Sequence, residues 1–111
     1  MSPGIIPEDV AGWVIQAIKE TLAAQPSHLS CRITDEGTAI GIYDIQQRWQ
    51  TKEPYLFPVC QLRLTGNKWH LYWMRKFDAW WPYEPPKKGR KYSLDAHLQQ
   101  LIADEYGCFW V

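Results

Sequence analysis

Residues 58–74 of the chain read PVCQLRLTGNKWHLYWM, two runs of alternating residues on either side of Gly66-Asn67. A Gly-Asn pair between two such runs is typical of a two-residue turn, so the stretch predicts an antiparallel β-hairpin. On one side of this hairpin every facing pair is apolar: Leu64 with Trp69, Leu62 with Leu71, and Cys60 with Trp73. Because side chains alternate between the two faces of a strand, this side is predicted to face the core.

The other side of the hairpin is aromatic and basic, and it places Arg63 opposite His70. A loop of four residues, 75–78, is predicted to lead into a further strand at residues 79–84. That register turns Trp80 toward the core and the next aromatic residues of the strand away from it. We call this side of the sheet the outer face; its predicted members are Arg63, His70, Tyr72, Met74, Trp81 and Tyr83.

The rest of the chain predicts two helices and two more strands around this hairpin. Apolar residues at spacings of three and four indicate a helix over residues 7–25, and Ser93 is suited to cap a second helix. Strands are predicted at residues 29–34 and 38–45, and residues 46–57 are predicted to form a surface loop. The resulting class is α+β: an antiparallel sheet of about five strands with an N-terminal and a C-terminal helix, in the order α-β-β-β-β-β-α.

Length and composition are those of one domain spanning residues 1–111. Hydrophobic residues make up 46% of the chain and charged residues 22%, proportions typical of a globular protein and not of a disordered one. No apolar run predicts a membrane-spanning helix, and the first residues lack the basic-then-apolar pattern of a secretion signal. We therefore expect a cytoplasmic protein that does not engage a membrane.

Chemically reactive residues do not assemble into a recognisable site in the sequence. The three cysteines, Cys31, Cys60 and Cys108, are an odd number at long spacings and do not predict a disulfide framework. His28 and Cys31 form the one closely spaced pair of metal ligands, whereas zinc needs four ligands in all. Cys60 and His70 lie on opposite faces of the hairpin, so they do not form a nucleophile–base pair. We predict no catalytic residue, no metal and no cofactor.

The chain has no net charge, but its charges are unevenly distributed. Residues 63–91 contain eight basic and two acidic residues, a net charge of +6, and the remainder carries −6. The densest basic segment is formed by Lys87, Lys88, Arg90 and Lys91. Basic residues next to aromatic rings can hold phosphates while bases stack on the rings, so single-stranded nucleic acid is one candidate partner.

The last two thirds of the chain carry a series of aromatic motifs. They are Arg48-Trp49, Pro58-Val59, Trp69 with Leu71-Tyr72-Trp73, Trp80-x-x-Tyr83-Glu84-Pro85, a Leu-rich helix after Ser93, and Gly107-Cys108-Phe109-Trp110. In this order they resemble the bacterial family catalogued as domain of unknown function 3024. The resemblance implies a small soluble protein and supplies neither an activity nor catalytic residues. Packing explains Arg48-Trp49 less easily than the other motifs, so this pair joins the candidate binding residues.

An aromatic sheet face that no helix covers tends to mark a binding surface. We therefore predict a non-enzymatic interaction module that engages a protein partner or a second copy of itself through the outer face. Three alternatives stay open. A helix or the tail at residues 109–110 could cover the face, single-stranded nucleic acid could bind to it and to residues 87–91, or the protein could be an enzyme of unrecognised type.

Overall fold

The computed structural model describes residues 4–24, 28–75, 79–83, 92–104 and Phe109. Two helices flank five strands: α1 (Glu8–Thr21), β1 (Leu29–Thr34), β2 (Ala39–Gln47), β3 (Pro54–Thr65), β4 (Lys68–Arg75), β5 (Ala79–Pro82) and α2 (Leu94–Ala103). The strands form one antiparallel sheet in the order β1-β2-β3-β4-β5, so each strand pairs with its neighbour in sequence. The predicted α+β class and the predicted order of elements are confirmed.

The β3–β4 hairpin has the predicted register. Its ladder joins Cys60 with Trp73, Gln61 with Tyr72, Leu62 with Leu71, Arg63 with His70, and Leu64 with Trp69. Gly66 has a φ of 62°, whereas Asn67 has no positive φ, which is the pattern of a type II′ turn. Its first central position needs the left-handed conformation that glycine adopts without strain. The turn therefore fixes the register that separates apolar from polar side chains.

Both helices pack against the face that the hairpin alternation predicted to be the core. α1 contacts β1 and α2, and α2 contacts β4. The core side chains are buried and come from both helices and the three central strands: Ala11, Val14, Ile18, Leu22, Ile40, Ile42, Cys60, Leu62, Trp69, Leu71, Leu94, Leu98 and Leu101. Neither of the two described helices therefore covers the outer face.

The β1–β2 connection is a left-handed turn that also anchors the N-terminal segment. Asp35, Glu36 and Gly37 have φ values of 52°, 57° and 90°, a region that only glycine occupies freely. The Ile6 N–H donates to the Gly37 carbonyl oxygen at 2.8 Å, and the Ile6 side chain is buried. A turn at these three residues, with strands on both sides, is as the sequence predicted.

The prediction of a surface loop at residues 46–57 is wrong, because strands occupy most of these residues. β2 continues to Gln47 and β3 already begins at Pro54, where these two residues pair. Only residues 48–53 connect the strands. Prolines and polar residues lower the intrinsic strand preference of this stretch, and pairing between the two strands overrides that preference.

A bulge in β3 interrupts the regular pairing of the long β2–β3 hairpin. Ile42 pairs with Cys60, whereas the next residue, Tyr43, pairs with Pro58 and leaves Val59 as the extra residue. A bulge bends its strand and increases the local twist. We call the part of the hairpin beyond the bulge the arm; it comprises residues 43–47, the loop 48–53 and residues 54–58.

The register between β4 and β5 differs from the prediction by one residue. The pairs are Tyr72 with Pro82, Trp73 with Trp81, Met74 with Trp80, and Arg75 with Ala79. Arg75, which the prediction placed in the loop, belongs to β4 and pairs with Ala79 of β5. Because a shift of one residue exchanges the two faces of a strand, Trp80 lies on the outer face and Trp81 on the core side.

Tyr83 explains why this register is favoured. Its N–H donates to the Leu71 carbonyl oxygen at 2.9 Å, and its side chain packs against the hydrophobic core. Its ring centroid lies 5.0 Å from that of Phe109. In the predicted register Tyr83 would instead point to the outer face and lose these apolar contacts.

Capping residues define both ends of α2. Ser93 is the predicted N-cap, and its Oγ accepts from the Ala96 N–H at 3.2 Å. Asp104 ends the helix with a left-handed φ of 41°, and its Oδ1 accepts from the Phe109 N–H at 3.1 Å. Phe109 is buried in the core, whereas Gly107 lies outside the described residues.

Alanine substitutions at two glycines that have free space beside them test the role of the β3–β4 turn. A Cβ added at Gly66 or at Gly12 of α1 would meet no atom within 4 Å. Gly66→Ala should lower the free energy of unfolding by about 1–2 kcal/mol, because its φ is left-handed. Gly12→Ala should raise it by up to about 1 kcal/mol, because alanine favours the helix. Urea unfolding of both variants measures these changes, and effects of the same sign would contradict the assigned turn.

Candidate interaction surface

The outer face is a row of polar and aromatic side chains along the central strands. Its members are Ala39, Gly41, Tyr43, Gln61, Arg63, Lys68, His70, Tyr72, Met74 and Trp80. The structure brings Arg63, His70 and Tyr72 together as predicted. Trp81 and Tyr83 do not join them, because they lie on the core side; Trp81, on the last strand, is 48% exposed there.

A hydrogen-bonded chain of side chains holds Arg63 in place. The Gln61 side chain is only 1% exposed, and its Nε2 donates to Asp35 Oδ2 at 3.0 Å and to Thr34 Oγ1 at 3.2 Å. Its Oε1 accepts from Arg63 Nε at 2.7 Å. The Arg63 guanidinium then lies over the Tyr72 ring, 4.0 Å from the ring centroid. These contacts satisfy the buried amide and hold the guanidinium over a cation–π partner.

The Tyr43 ring covers part of β2 beside the hydrogen bonds that hold Arg63. A Cβ at Gly41 would lie 2.7 Å from the Tyr43 ring, so the ring occupies the space that a side chain at Gly41 would need. Burial raises the pKa of the Tyr43 hydroxyl, nearby Asp35 raises it further, and Arg32 opposes both. Tyr43 is therefore a neutral aromatic surface at physiological pH.

Lys68, His70 and Tyr92 form the end of the outer face nearest the β3–β4 turn. The His70 and Tyr92 ring centroids are 5.2 Å apart, and Lys68 Nζ lies 5.1 Å from the Tyr92 ring centroid. Burial lowers the pKa of His70, and repulsion from His97 and Lys68 lowers it further. This end of the face is therefore electropositive, and His70 itself resists protonation.

Residues next to α2 and within it cap the part of β4 that β5 does not reach. The Trp69 N–H donates to the Tyr92 carbonyl oxygen at 2.9 Å. His97 is buried, and its Nε2 lies 2.7 Å from the Trp69 carbonyl oxygen. A carbonyl oxygen only accepts, so Nε2 carries a proton. This contact fixes Tyr92 and His97 beside the outer face.

Backbone hydrogen bonds close the loop of the arm, and this loop carries an exposed tryptophan. The Arg48 N–H donates to the Glu53 carbonyl oxygen at 2.8 Å, and the Lys52 N–H donates to the Arg48 carbonyl oxygen at 2.9 Å. Trp49, between them, is 87% exposed. The Arg48 guanidinium lies over the Tyr55 ring, 5.2 Å from its centroid. Arg48 thus stacks on Tyr55, whereas Trp49 stays open to solvent.

The strands of the arm have an ordered polar side and an apolar side. Tyr55 Oη donates to Gln46 Oε1 at 2.6 Å, and Gln46 Nε2 donates to Asp44 Oδ2 at 3.1 Å. On the opposite side Ile45 pairs with Leu56, and Ile45 is exposed. An open depression of about 570 Å³ borders the loop and is lined by Gln47, Arg48, Trp49, Gln50, Thr51 and Tyr55.

The described cysteines have no reactive environment. Cys31 and Cys60 both pair with Ile42, from opposite sides, so one strand separates them by roughly 9–10 Å. That separation exceeds the reach of a disulfide. Burial raises the pKa of the Cys31 thiol, and the nearby charge of Lys19 opposes part of this rise. Burial raises the pKa of the Cys60 thiol well above its usual value. Over the described ranges no group of three or more His, Cys, Asp or Glu residues could hold a metal ion.

The predicted binding residues therefore fall into separate places. Arg48 and Trp49 lie at the tip of the arm, away from the residues at the β3–β4 turn, and the four basic residues at 87–91 lie outside the described residues. Sequence reasoning missed Lys68, although alternation already places it on the same side as His70. Tyr92 follows the basic segment in the sequence, and its position beside His70 was not predicted, because its contacts join it to a distant strand.

Comparison with known proteins identifies the family of the chain. The sequence matches the family described as Domain of unknown function (DUF3024) over residues 5–111. The chain belongs to this family, as its aromatic motifs predicted. No match is found among the curated proteins or among the solved structures. Neither described helix is long and apolar enough to cross a membrane.

The burial of the cysteines predicts very different thiol reactivities. Cys60 should react with iodoacetamide at least about a thousandfold more slowly in the folded protein than in urea, because only the rare unfolded form exposes its thiol. Cys31, which is only partly buried, should react faster than Cys60. Peptide mass mapping over time measures both rates. Modification of Cys60 as fast as Cys31 would contradict the fully buried position of Cys60.

Proposed function

We propose that this DUF3024 protein is a non-enzymatic interaction module that binds a protein partner or a second copy of itself. The binding surface is the outer face together with the arm that extends it. The observation that carries this proposal is Trp49, which is 87% exposed on a loop closed by backbone hydrogen bonds. Tryptophan, tyrosine and arginine dominate the binding energy of protein interfaces, and the arm presents Arg48, Trp49 and Tyr55 side by side.

The loop of the arm is ordered before any partner binds, and this order supports a role in binding. The two backbone hydrogen bonds of the loop and the left-handed Lys52, with a φ of 61°, hold a backbone shape that costs energy in the free chain. A shape already formed before binding saves the entropy of ordering the loop at the interface. Strain retained in an exposed loop fits a functional contact better than a passive connection.

The apolar side of the arm supports a protein as the partner. Ile45 and Leu56 continue the outer face beyond the bulge, and an apolar strip next to an aromatic anchor is the usual centre of a protein interface. The depression beside Trp49 is open to solvent, whereas sites for small molecules enclose most of their ligand. An open site of this kind suits a protein partner better than a small molecule.

A bacterial cytoplasmic location is part of this proposal. Cys31 and Cys60 are free thiols, and free cysteines are typical of proteins in a reducing compartment. The interaction would then take place between intracellular proteins.

Two exposed tryptophans provide a matched test of the binding surface. Trp49→Ala should weaken self-association or capture of a partner by about thirtyfold or more, the effect of losing an interface anchor. Trp13→Ala should leave binding unchanged, because Trp13 is 66% exposed on α1, on the other side of the sheet. Light scattering across a concentration series measures self-association, and affinity capture with mass spectrometry compares partners of the wild type and both variants.

Stability measurements separate binding from folding in this experiment. Both substitutions should change the free energy of unfolding by less than about 0.5 kcal/mol, because both side chains are largely exposed. The proposal is wrong if the Trp49→Ala protein self-associates and captures the same proteins as the wild type. Equal losses from both substitutions would also count against the arm as the binding surface.

A further inference from the structure

The outer face carries a second distinctive feature at the end opposite the arm. Arg63 of β3 pairs directly with His70 of β4, and Lys68 lies two residues before His70 on the same side of β4. We call these three side chains the cationic patch. In an antiparallel ladder, side chains at such diagonal positions start about 7–8 Å apart. The Arg63 guanidinium turns toward Tyr72 and the Lys68 ammonium toward Tyr92, so the patch presents two positive charges spaced along the outer face.

No carboxylate among the described residues forms an ion pair with Arg63 or Lys68. Arg63 Nε donates to the neutral Gln61 amide, and the carboxylate of Asp35 is reached only through that amide. Both cations instead lie over aromatic rings, Arg63 over Tyr72 and Lys68 over Tyr92. A ring attracts a cation without neutralising it, so the patch keeps its positive charge available to an external anion.

His70 senses this charge. Among the residues that the structure describes, the groups that face it are Lys68 on its own strand, Arg63 on β3, and Tyr92 and His97 beside and within α2. None of them is acidic. Burial lowers the pKa of His70 most, and repulsion from His97 and Lys68 lowers it further, so an anion bound beside Lys68 would remove part of that repulsion and favour the protonated ring.

We propose that the cationic patch binds backbone phosphates of single-stranded nucleic acid. An extended polyanion supplies several charges along one line, which suits Arg63 and Lys68 on adjacent strands better than an isolated phosphate does. No described helix or strand covers the patch, and tyrosine rings lie among its cations, the combination that proteins use to track a single strand. The patch is the end of the outer face farthest from the arm, and this ligand is of a different class from the protein that the arm contacts.

Protonation of His70 makes this binding depend on pH. The pKa of His70 lies below the usual 6.5 in the free protein and rises when a phosphate binds. By linkage, the complex takes up a proton, so affinity increases as the pH falls from about 8 to about 6. His70→Gln should remove most of this pH dependence while retaining binding through Arg63 and Lys68.

The test uses a fluorescein-labelled oligothymidine of about 12 nucleotides, a length within the usual span of single-strand sites. Anisotropy titrations at several salt concentrations compare the wild type, Lys68→Ala and Lys19→Ala. Both lysines are exposed, and Lys19 lies on α1, on the core side of the sheet. Lys68→Ala should weaken binding about three- to fivefold and reduce the slope of log affinity against log salt by about 0.7. Lys19→Ala should change neither quantity.

Three results would overturn this assignment. The first is no binding of the oligonucleotide at low salt, and the second is an equal loss from Lys68→Ala and Lys19→Ala. The third is displacement of the oligonucleotide by polyglutamate at equal charge concentration, because the patch would then accept acidic polypeptides equally well. Trp49→Ala should bind the oligonucleotide like the wild type, which separates this site from the arm.

Discussion

The alternation of side chains across the β3–β4 hairpin is the constraint on which the rest of the structure depends. Leu62 and Leu71 face each other in the middle of the sheet and are buried. A slip by one residue would expose both and bury Arg63 with His70, which neither charge nor hydration permits. β2 and β5 then align on this hairpin, and both helices pack on the face that it makes apolar.

The same constraint leaves the outer face without a helix among the described elements, and the side chains of that face compensate for it. Tyr43 covers the space above Gly41, and the Gln61 amide is buried but fully bonded. Throughout the described part of the chain, every buried side-chain nitrogen and oxygen has a hydrogen-bond partner. The face is therefore an ordered polar and aromatic surface, and its apolar and cationic parts lie at opposite ends. Such a division allows one small domain to carry two contacts of different chemistry.

Local signals account for the parts of the fold that were predicted correctly. A glycine that needs φ 62°, a serine that caps a helix and alternation with a period of two each act within a few residues. Most of the arm escaped prediction because residues 46–57 contain Pro54 and a run of polar residues, and only pairing between β2 and β3 makes them extended. The β4–β5 register escaped because it depends on Tyr83 meeting Phe109, a contact between residues of separate elements.

The sequence by itself determined the α+β class, the faces of the central hairpin, and membership of the DUF3024 family. Those properties follow from periodicity and turn chemistry, which are local, and from motifs that need no coordinates. Only the tertiary structure decided that Trp80 rather than Trp81 faces outward. It also decided that Lys68 and His70 meet Tyr92. The physical reason is that these choices depend on packing energies between distant elements, and a one-residue change in a single ladder is enough to reverse them.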